Sequence, residues 1–184
     1  DEDGEMRIIG IEGTVSLRIN LYEEEELNLL EDLYSLEQKV SYQTREAVYE
    51  ELLLQNQSKC KIVENLSLPE LKDDVLQICH SSGSVQIEHV ETRAEKQGGI
   101  LIEGILHVSF LYLKADDALP FGNWQGMVPF SYLLECPDMP KDVRYQLSNR
   151  VEQISVTMTG SDSVEVKAVL DFDVFLRKEV PMQV

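Results

Sequence analysis

The chain has 184 residues, of which 43% are hydrophobic and 27% charged, the balance of a globular protein with one large or two small domains. Sixteen Lys and Arg stand against 34 Asp and Glu, and the resulting formal net charge of −18 argues against nucleic acid and anionic lipid as partners, since both are bound through clustered Lys and Arg. No stretch approaches the roughly 20 apolar residues that cross a bilayer, so no membrane insertion is expected.

The first predicted element is a β-strand over residues 9–21. Every second position there holds an apolar or small side chain, which an extended chain places on one face. We therefore expect a strand with one buried face. The alternating positions are Ile9, Ile11, Gly13, Val15, Leu17, Ile19 and Leu21.

Residues 23–54 allow two interpretations. Leu33 and Val40 stand at helical spacing, and the Glu and Leu content of the segment favours a helix. Val40, Tyr42 and Thr44 alternate instead, as in a strand. The pattern leaves helix and strand open.

A short helix is predicted near residues 70–79. Ser67 followed three residues later by Glu70 resembles a capping box, and Pro69 suits the first turn of a helix. Gly83 is placed to follow the helix end. The residues that share a face at helical spacing are Leu71, Val75, Ile78 and Cys79.

Two later series repeat the alternation of the first strand. The series over 100–112 shares its Ile-Glu-Gly triplet, and the series over 164–176 matches it position for position at an offset of 155. The small residue at the same step, which is Gly13, Gly104 or Ala168, predicts close backbone approach or a bulge. The alternating positions are Ile100, Ile102, Gly104, Leu106, Val108, Phe110 and Tyr112, then Val164, Val166, Ala168, Leu170, Phe172, Val174 and Leu176.

Weaker features complete the pattern. Pro129 marks the strand over 128–134 as an edge strand. The alternation over 143–158 slips phase, which predicts a bulge or bend near Asn149. Glycine-rich turns are predicted at 98–99, 122–123 and 160–163. The fold class is therefore predicted to be all-β or β-dominated, an antiparallel β-sandwich-like arrangement with one short helix near 70–79.

Few residues suggest chemistry. His80, Ser81 and Ser82 resemble a nucleophile beside a base only superficially, because neighbours in sequence rarely point at one reacting atom. We expect no catalytic residue. Trp124, near Phe121, is the candidate interface residue, since an exposed Trp can anchor a protein contact. The commoner role of a lone Trp is to fold over the end of a core.

No metal or cofactor is expected either. Cys60, Cys79 and Cys136 are scattered and include no CxxC pair, which indicates reduced thiols in a cytosol-like compartment rather than a zinc site or a disulfide framework. The acidic runs at 23–26 and 116–117 lack the spacing of a calcium-binding loop and are typical of solvated faces.

Three segments carry a resemblance to a known family: ILIEGILHVSFLYLK at 100–114, WQGMVPFSYLLECPDMP at 124–140 and SVEVKAVLDFDVFLRK at 163–178. An Ile-x-x-Glu-Gly strand ending in Leu-Tyr, a Val-Pro-Phe-Ser strand and a long closing strand follow in the order of one module of the SPOCS-domain family. That family is represented by SipL-like sporulation and spore-coat proteins of spore-forming bacteria.

The resemblance also implies a domain organisation. Residues 59–184 resemble one module, and residues 1–56, with EDLYS at 31–35, resemble the closing strand and linker region of a preceding module. By analogy the EDLYS neighbourhood is expected to be extended. The chain begins at Asp1 rather than at a methionine, and we expect it to be part of a longer protein.

The function implied by the resemblance is non-enzymatic scaffolding in spore envelope or coat assembly through protein–protein interaction. The implied partners are spore-coat morphogenetic proteins, and like modules are expected to self-associate. In SipL-like relatives a LysM domain engages a coat morphogenetic ATPase; this chain contains no LysM sequence. The implied location is cytoplasmic, on the mother-cell side, at the forespore surface or in the spore coat.

Two other functional classes stay open. A carbohydrate- or peptidoglycan-binding β-sandwich at the cell or spore surface would stack Trp124 and tyrosines on sugar rings. A hydrolase would need a cleft in which carboxylate, His or Ser groups converge.

Overall fold

In the computed structural model of the chain, the residues described are 10–17, 19, 21, 23, 25–26, 28–30, 32–72, 74–94, 98–116 and 118–184. The chain divides into two units, one of residues 1–44 with Val184 and one of residues 45–183. The described part of the second unit contains six strands: β1 Glu46–Ser67, β2 Val75–Arg93, β3 Gly99–Lys114, β4 Phe121–Glu135, β5 Arg144–Met158 and β6 Ser163–Gln183.

These strands form two antiparallel three-stranded sheets. One sheet has the order β1-β6-β5 and the other the order β2-β3-β4. Within the unit, β2 lies against β5, and β4 approaches β1. The all-β, antiparallel sandwich-like prediction is confirmed.

The core comes from the two central strands, β3 and β6. Every apolar residue in the two predicted series 100–112 and 164–176 is at most 3% exposed. Each such side chain contributes about 1.5–3 kcal/mol when fully buried, so the two series supply most of the hydrophobic stabilisation. One-sided burial is what produced the period of two in the sequence.

Gly104, the small residue of the series over 100–112, lies beside a β-bulge, as the sequence predicted. The β2–β3 register shifts between Ile87 and His89, directly opposite Gly104. A Cβ on Gly104 would stand 2.4 Å from the carbonyl oxygen of Gln86, so the two backbones approach too closely there for any side chain. On the other sheet the β5 register shifts at Glu152, three residues from the position predicted near Asn149.

The predicted helix near 70–79 is wrong. Among the described residues of this segment a 3₁₀ turn forms at Pro69–Leu71, and β2 begins at Val75. The register of β2 shifts between Val75 and Gln77 and again between Ile78 and His80. Each bulge adds one residue between inward-facing positions, so two bulges in succession imitate the spacing of a helix. Cys79, expected in a helical core, is exposed.

The turn predictions gave mixed results. Gly98 lies in the β2–β3 connection and Gly99 begins β3. The β5–β6 turn at 160–163 is closed by hydrogen bonds from the Thr159 and Gly160 amides to the Ser163 carbonyl. The turn predicted at 122–123 is wrong, because these residues lie in β4. Gly122 lies close to the Tyr112 ring there, since a Cβ would stand 2.3 Å from it. Pro129 lies on an edge strand, as predicted.

Residues before the first strand differ from expectation. The described positions among 10–45 form neither strand nor helix, so neither interpretation of residues 23–45 is realised there. The strand predicted over 9–21 is absent at 10–17, and its apolar side chains are exposed, from Ile19 at 77% to Leu21 at 91%; Ile9 lies outside the described residues. An amphipathic strand needs neighbouring strands, and none of the described strands pairs with this segment.

The second unit begins before residue 59, where the resemblance placed the start of the module. Residues 46–56, assigned from sequence to the preceding region, belong to β1 and pair with β6. β1 is an edge strand whose polar residues hide its alternation, so the sequence did not reveal it. Among the described residues, no helix has the length and apolar character that crossing a membrane requires.

Candidate protein-binding face

Each sheet has an outward side, and the two sides differ in chemistry. We call the outward side chains of β2, β3 and β4 the β3 face, and those of β1, β5 and β6 the β6 face. Because the even-numbered residues of β3 point into the core, its odd-numbered residues lie on the β3 face. They are Leu101, Glu103, Ile105, His107, Ser109, Leu111 and Leu113.

Apolar side chains run along the β3 face on two neighbouring strands. Register places Leu133, Pro129 and Phe121 of β4 opposite apolar residues of β3. Phe121 is 61% exposed and Met127 63% exposed, so a substantial part of this surface is open to contact. Exposed apolar side chains grouped on one sheet face are typical of a protein interaction site.

A depression of about 560 Å³ lies in the middle of the β3 face. Its lining side chains are small or uncharged, among them Ser82, Ser84, Ser109 and Gln125. Two hydrogen bonds order this region: His107 Nε2 with Gln86 Oε1 at 3.2 Å, and the Ser109 hydroxyl donating to Asn123 Oδ1 at 3.1 Å. Met127 stands at the rim.

Charge is confined to one end of the β3 face. Glu91, Arg93, Glu103 and Glu135 lie at that end, where Arg93 pairs with Glu91 at 3.0 Å. From the row of Leu113 to the row of Ile105, the outward residues of all three strands include no Asp, Glu, Lys or Arg. A chain with a net charge of −18 thus keeps an uncharged window on this sheet.

The β6 face is organised by ion pairs instead. Asp171 lies at its centre and is only 3% exposed, because Gln57 Nε2 and Arg150 Nε donate to its Oδ2 at 2.7 and 2.8 Å. Lys59 on β1 reaches across β6 to Glu152 on β5 at 2.7 Å. The hydrogen bond from Gln57, and next the bond and charge of Arg150, hold the pKa of the Asp171 carboxyl below its usual range.

Of the predicted interface residues, only Phe121 lies on the β3 face. Trp124 lies on the inward side of β4, where its indole stacks on Phe110 with ring centroids 5.2 Å apart. Its Nε1 donates to Glu70 Oε1 at 3.1 Å, which fixes the ring over the end of the core. No Phe, Tyr or Trp side chain lines the depression within the described residues, so the stacking platform expected of a sugar-binding groove is not formed there.

The residues considered for chemistry do not come together. His80 and Ser82 are exposed on the edge strand β2. The described residues include no cluster of His, Cys, Asp and Glu side chains that could hold a metal ion. Cys60 and Cys136 are far apart in the chain on β1 and after β4, and burial raises the pKa of both thiols. Glu24 and Asp117, from the acidic runs, lie outside the described residues.

Sequence reasoning missed the β3 face, although a signal was present. In β3 the residues between the inward positions are often apolar too, as at Leu101, Ile105, Leu111 and Leu113. In β6 the corresponding positions include Glu165, Lys167, Asp171 and Asp173. A strand that is apolar on both sides indicates either burial on both sides or an exposed contact face.

Comparison with known proteins identifies the region that contains this face. Residues 74–159 match the family model described as SipL, SPOCS domain. The matched range contains β2, β3 and β4, which form the β3 face, together with β5. No curated protein and no solved structure matched the chain. The resemblance predicted from the sequence is confirmed over residues 74–159, which match the SPOCS domain.

Proposed function

We propose that this chain is a non-enzymatic scaffolding module of spore envelope or coat assembly that binds protein partners on its β3 face. The observation that carries the proposal is the uncharged window on an otherwise acidic protein, with exposed apolar side chains such as Phe121 and Met127 within it. Exposed apolar area is kept on a protein surface mainly where a partner covers it. The family match over residues 74–159 supports a role related to sporulation.

The module would be one of a tandem pair. Residues 9–21 repeat the seven inward positions of β6, which are buried at 3% exposure or less in this unit. In the segment itself, the described apolar side chains among 11–21 are 77–91% exposed. These residues have the pattern of a central strand, and we assign them as the closing strand of a preceding module.

The partners we propose are spore-coat morphogenetic proteins, met on the mother-cell side at the forespore surface or in the coat. The face would contribute affinity through apolar burial, at roughly 25 cal/mol per Å² removed from water. Its small polar residues around the depression would set register by hydrogen bonding, as in other interfaces with a mixed composition.

The test is a pull-down from sporulating cells with the full-length parent protein carrying Met127→Glu. The matched control is Val63→Glu, since Val63 is 57% exposed and points outward from the edge strand β1 of the other sheet. We expect coat morphogenetic proteins to be recovered with the parent and with the control, and to be lost with Met127→Glu. Equal recovery with both variants, or recovery of an enzymatic complex instead, would overturn the proposal.

A further inference from the structure

We infer that the partner of the β3 face is a second copy of this chain, docked face to face about a two-fold axis that lies between the sheets and crosses the strands. The inference rests on the proposed function, which assigns protein binding to the β3 face, and it puts a second copy of the chain in the place of the coat proteins as the direct occupant of that face. Three features of the face favour a copy of itself over an unrelated protein.

The first feature is shape. Met127 stands 63% exposed at the rim of the 560 Å³ depression, so a protruding side chain and a hollow occur side by side. In a two-fold interface every contact occurs twice, once from each copy to the other. Met127 of each copy would then lie over the partner's depression, beside Gln125 and Ser109. Methionine suits this position, because its unbranched thioether side chain adapts to an irregular hollow.

The second feature is the distribution of charge. A face that binds an unrelated basic partner is expected to have acidic residues spread over it. On the β3 face the acidic residues lie at one end, with Glu103 and Glu135. An axis across the strands sets the charged end of one copy over the uncharged end of the other, where Leu113 and Phe121 lie. Like charges are thereby kept apart, which two chains of −18 require in order to associate.

The third feature is size. From Leu101 to Leu113 the face is about 40 Å long and about 15 Å wide at ordinary strand spacings. Its flat area of about 600 Å² rises toward the roughly 800 Å² per partner of a standard interface once the relief of the side chains is included. Two sheets stacked about 10 Å apart would cover the depression and the apolar rows together.

Sedimentation equilibrium of the 184-residue chain at 1–100 μM tests the inference, with the same Met127→Glu and Val63→Glu variants. We expect a monomer–dimer equilibrium in the parent and in Val63→Glu, and a dissociation constant at least about tenfold higher in Met127→Glu because the contact is made twice. Raising NaCl should strengthen the dimer by screening the repulsion between two acidic chains. The binding of this acidic chain to a basic partner would instead weaken as the NaCl concentration rises.

A second variant keeps the result interpretable. Ser109→Trp fills the depression from its floor without adding charge, and circular dichroism of each variant confirms that the strands have formed. Loss of the dimer in both variants supports the inference. An unmodified chain that stays monomeric at 100 μM overturns the inference of self-pairing. If Met127→Glu nevertheless loses its partners in the pull-down, the proposed function stands without self-pairing. Recovery of partners by every variant in the pull-down would overturn the proposed function, whereas the sedimentation result alone decides self-pairing.

Discussion

The β3 face and the β6 face enclose the same core but meet the solvent in opposite ways. On the β6 face, outward charges pair across strands, as in Arg177 with Glu50 at 2.7 Å and Arg144 with Glu179 at 2.6 Å. Among the described outward residues of the β3 face, the recorded ion pair is Arg93 with Glu91, at its charged end. The inward residues of the two central strands are equally buried.

The contrast indicates which side of the sandwich is suited to solvent and which to a partner. Alternating charges on a sheet face keep it hydrated and discourage other sheets from stacking on it. Exposed ion pairs contribute only about 0–1 kcal/mol each, so the β6 face is explained by solubility rather than by stability. The β3 face lacks that protection over its uncharged window, which is why we assign the contact surface to it.

The largest expected effect concerns the shared core. Phe172→Ala and Phe110→Ala should each lower the free energy of unfolding by about 3–5 kcal/mol, because both rings are at most 1% exposed. Phe172 stacks on Tyr132 of the opposite sheet at 5.6 Å, and Phe110 stacks on Trp124 at 5.2 Å. Urea denaturation measures both. Phe121→Ala, on the β3 face, should stay within about 0.5 kcal/mol; a loss equal to that of the core variants would mean that the face is buried.

The next effect separates a packed central strand from its exposed counterpart. Gly104→Ala should cost about 1–3 kcal/mol, because the new Cβ would meet the Gln86 carbonyl oxygen at 2.4 Å and overpack the bulge. Gly13→Ala is the matched control: Gly13 holds the same step of the repeat, and its Cβ would have nothing within 4 Å. The urea midpoint of the 184-residue chain should therefore move only in Gly104→Ala. Equal shifts would show that residues 9–21 are packed like β3.

These two predictions concern the part of the fold that the sequence revealed well. Central strands have neighbours on both edges and a core on one side, so their burial depends on local alternation. The series over 100–112 and 164–176 could be identified for that reason. The series over 9–21 has the same pattern, but its described residues form no strand. Alternation therefore specifies which face of a strand is apolar and not which strands it pairs with.

The edge strands were harder to predict for a physical reason. β2 has three register shifts, at Leu76, Cys79 and Glu88, and two of them lie where the helix was expected. Bulges are favoured on edge strands, because only one neighbour has to accommodate the extra residue. The β3 face was not predictable as a site, because its rows join residues of β2, β3 and β4 that only the pairing register brings side by side.

A smaller effect tests how the β6 face is held. Asp171→Asn should lower stability at pH 7, because it removes the carboxylate that Gln57 and Arg150 hold. Since the pKa of Asp171 is below its usual range in the folded state, its contribution is present above the ordinary carboxyl pKa of about 3.9 and is lost as the pH falls further. Urea midpoints of parent and variant should therefore converge below about pH 4.

The control for that experiment is Asp173→Asn, an exposed carboxylate two residues away on the same strand, which changes the net charge equally. If the two variants lost the same stability at pH 7, net charge and not the Asp171 cluster would be responsible. The β6 face would then be no more than a solvated surface.

The smallest effect concerns the pair that spans three strands, Lys59 and Glu152 at 2.7 Å. A double-mutant cycle with Lys59→Met and Glu152→Gln should give a coupling of about 0.2–1 kcal/mol, since both side chains are partly solvated and the attraction is screened. Raising NaCl to 1 M should shrink it, as the screening length falls to about 3 Å. A coupling well above this range would mean that the β6 face is locked by its charges. In that case both faces would be specialised, and the lack of charge on the β3 face would no longer distinguish it as the site of contact.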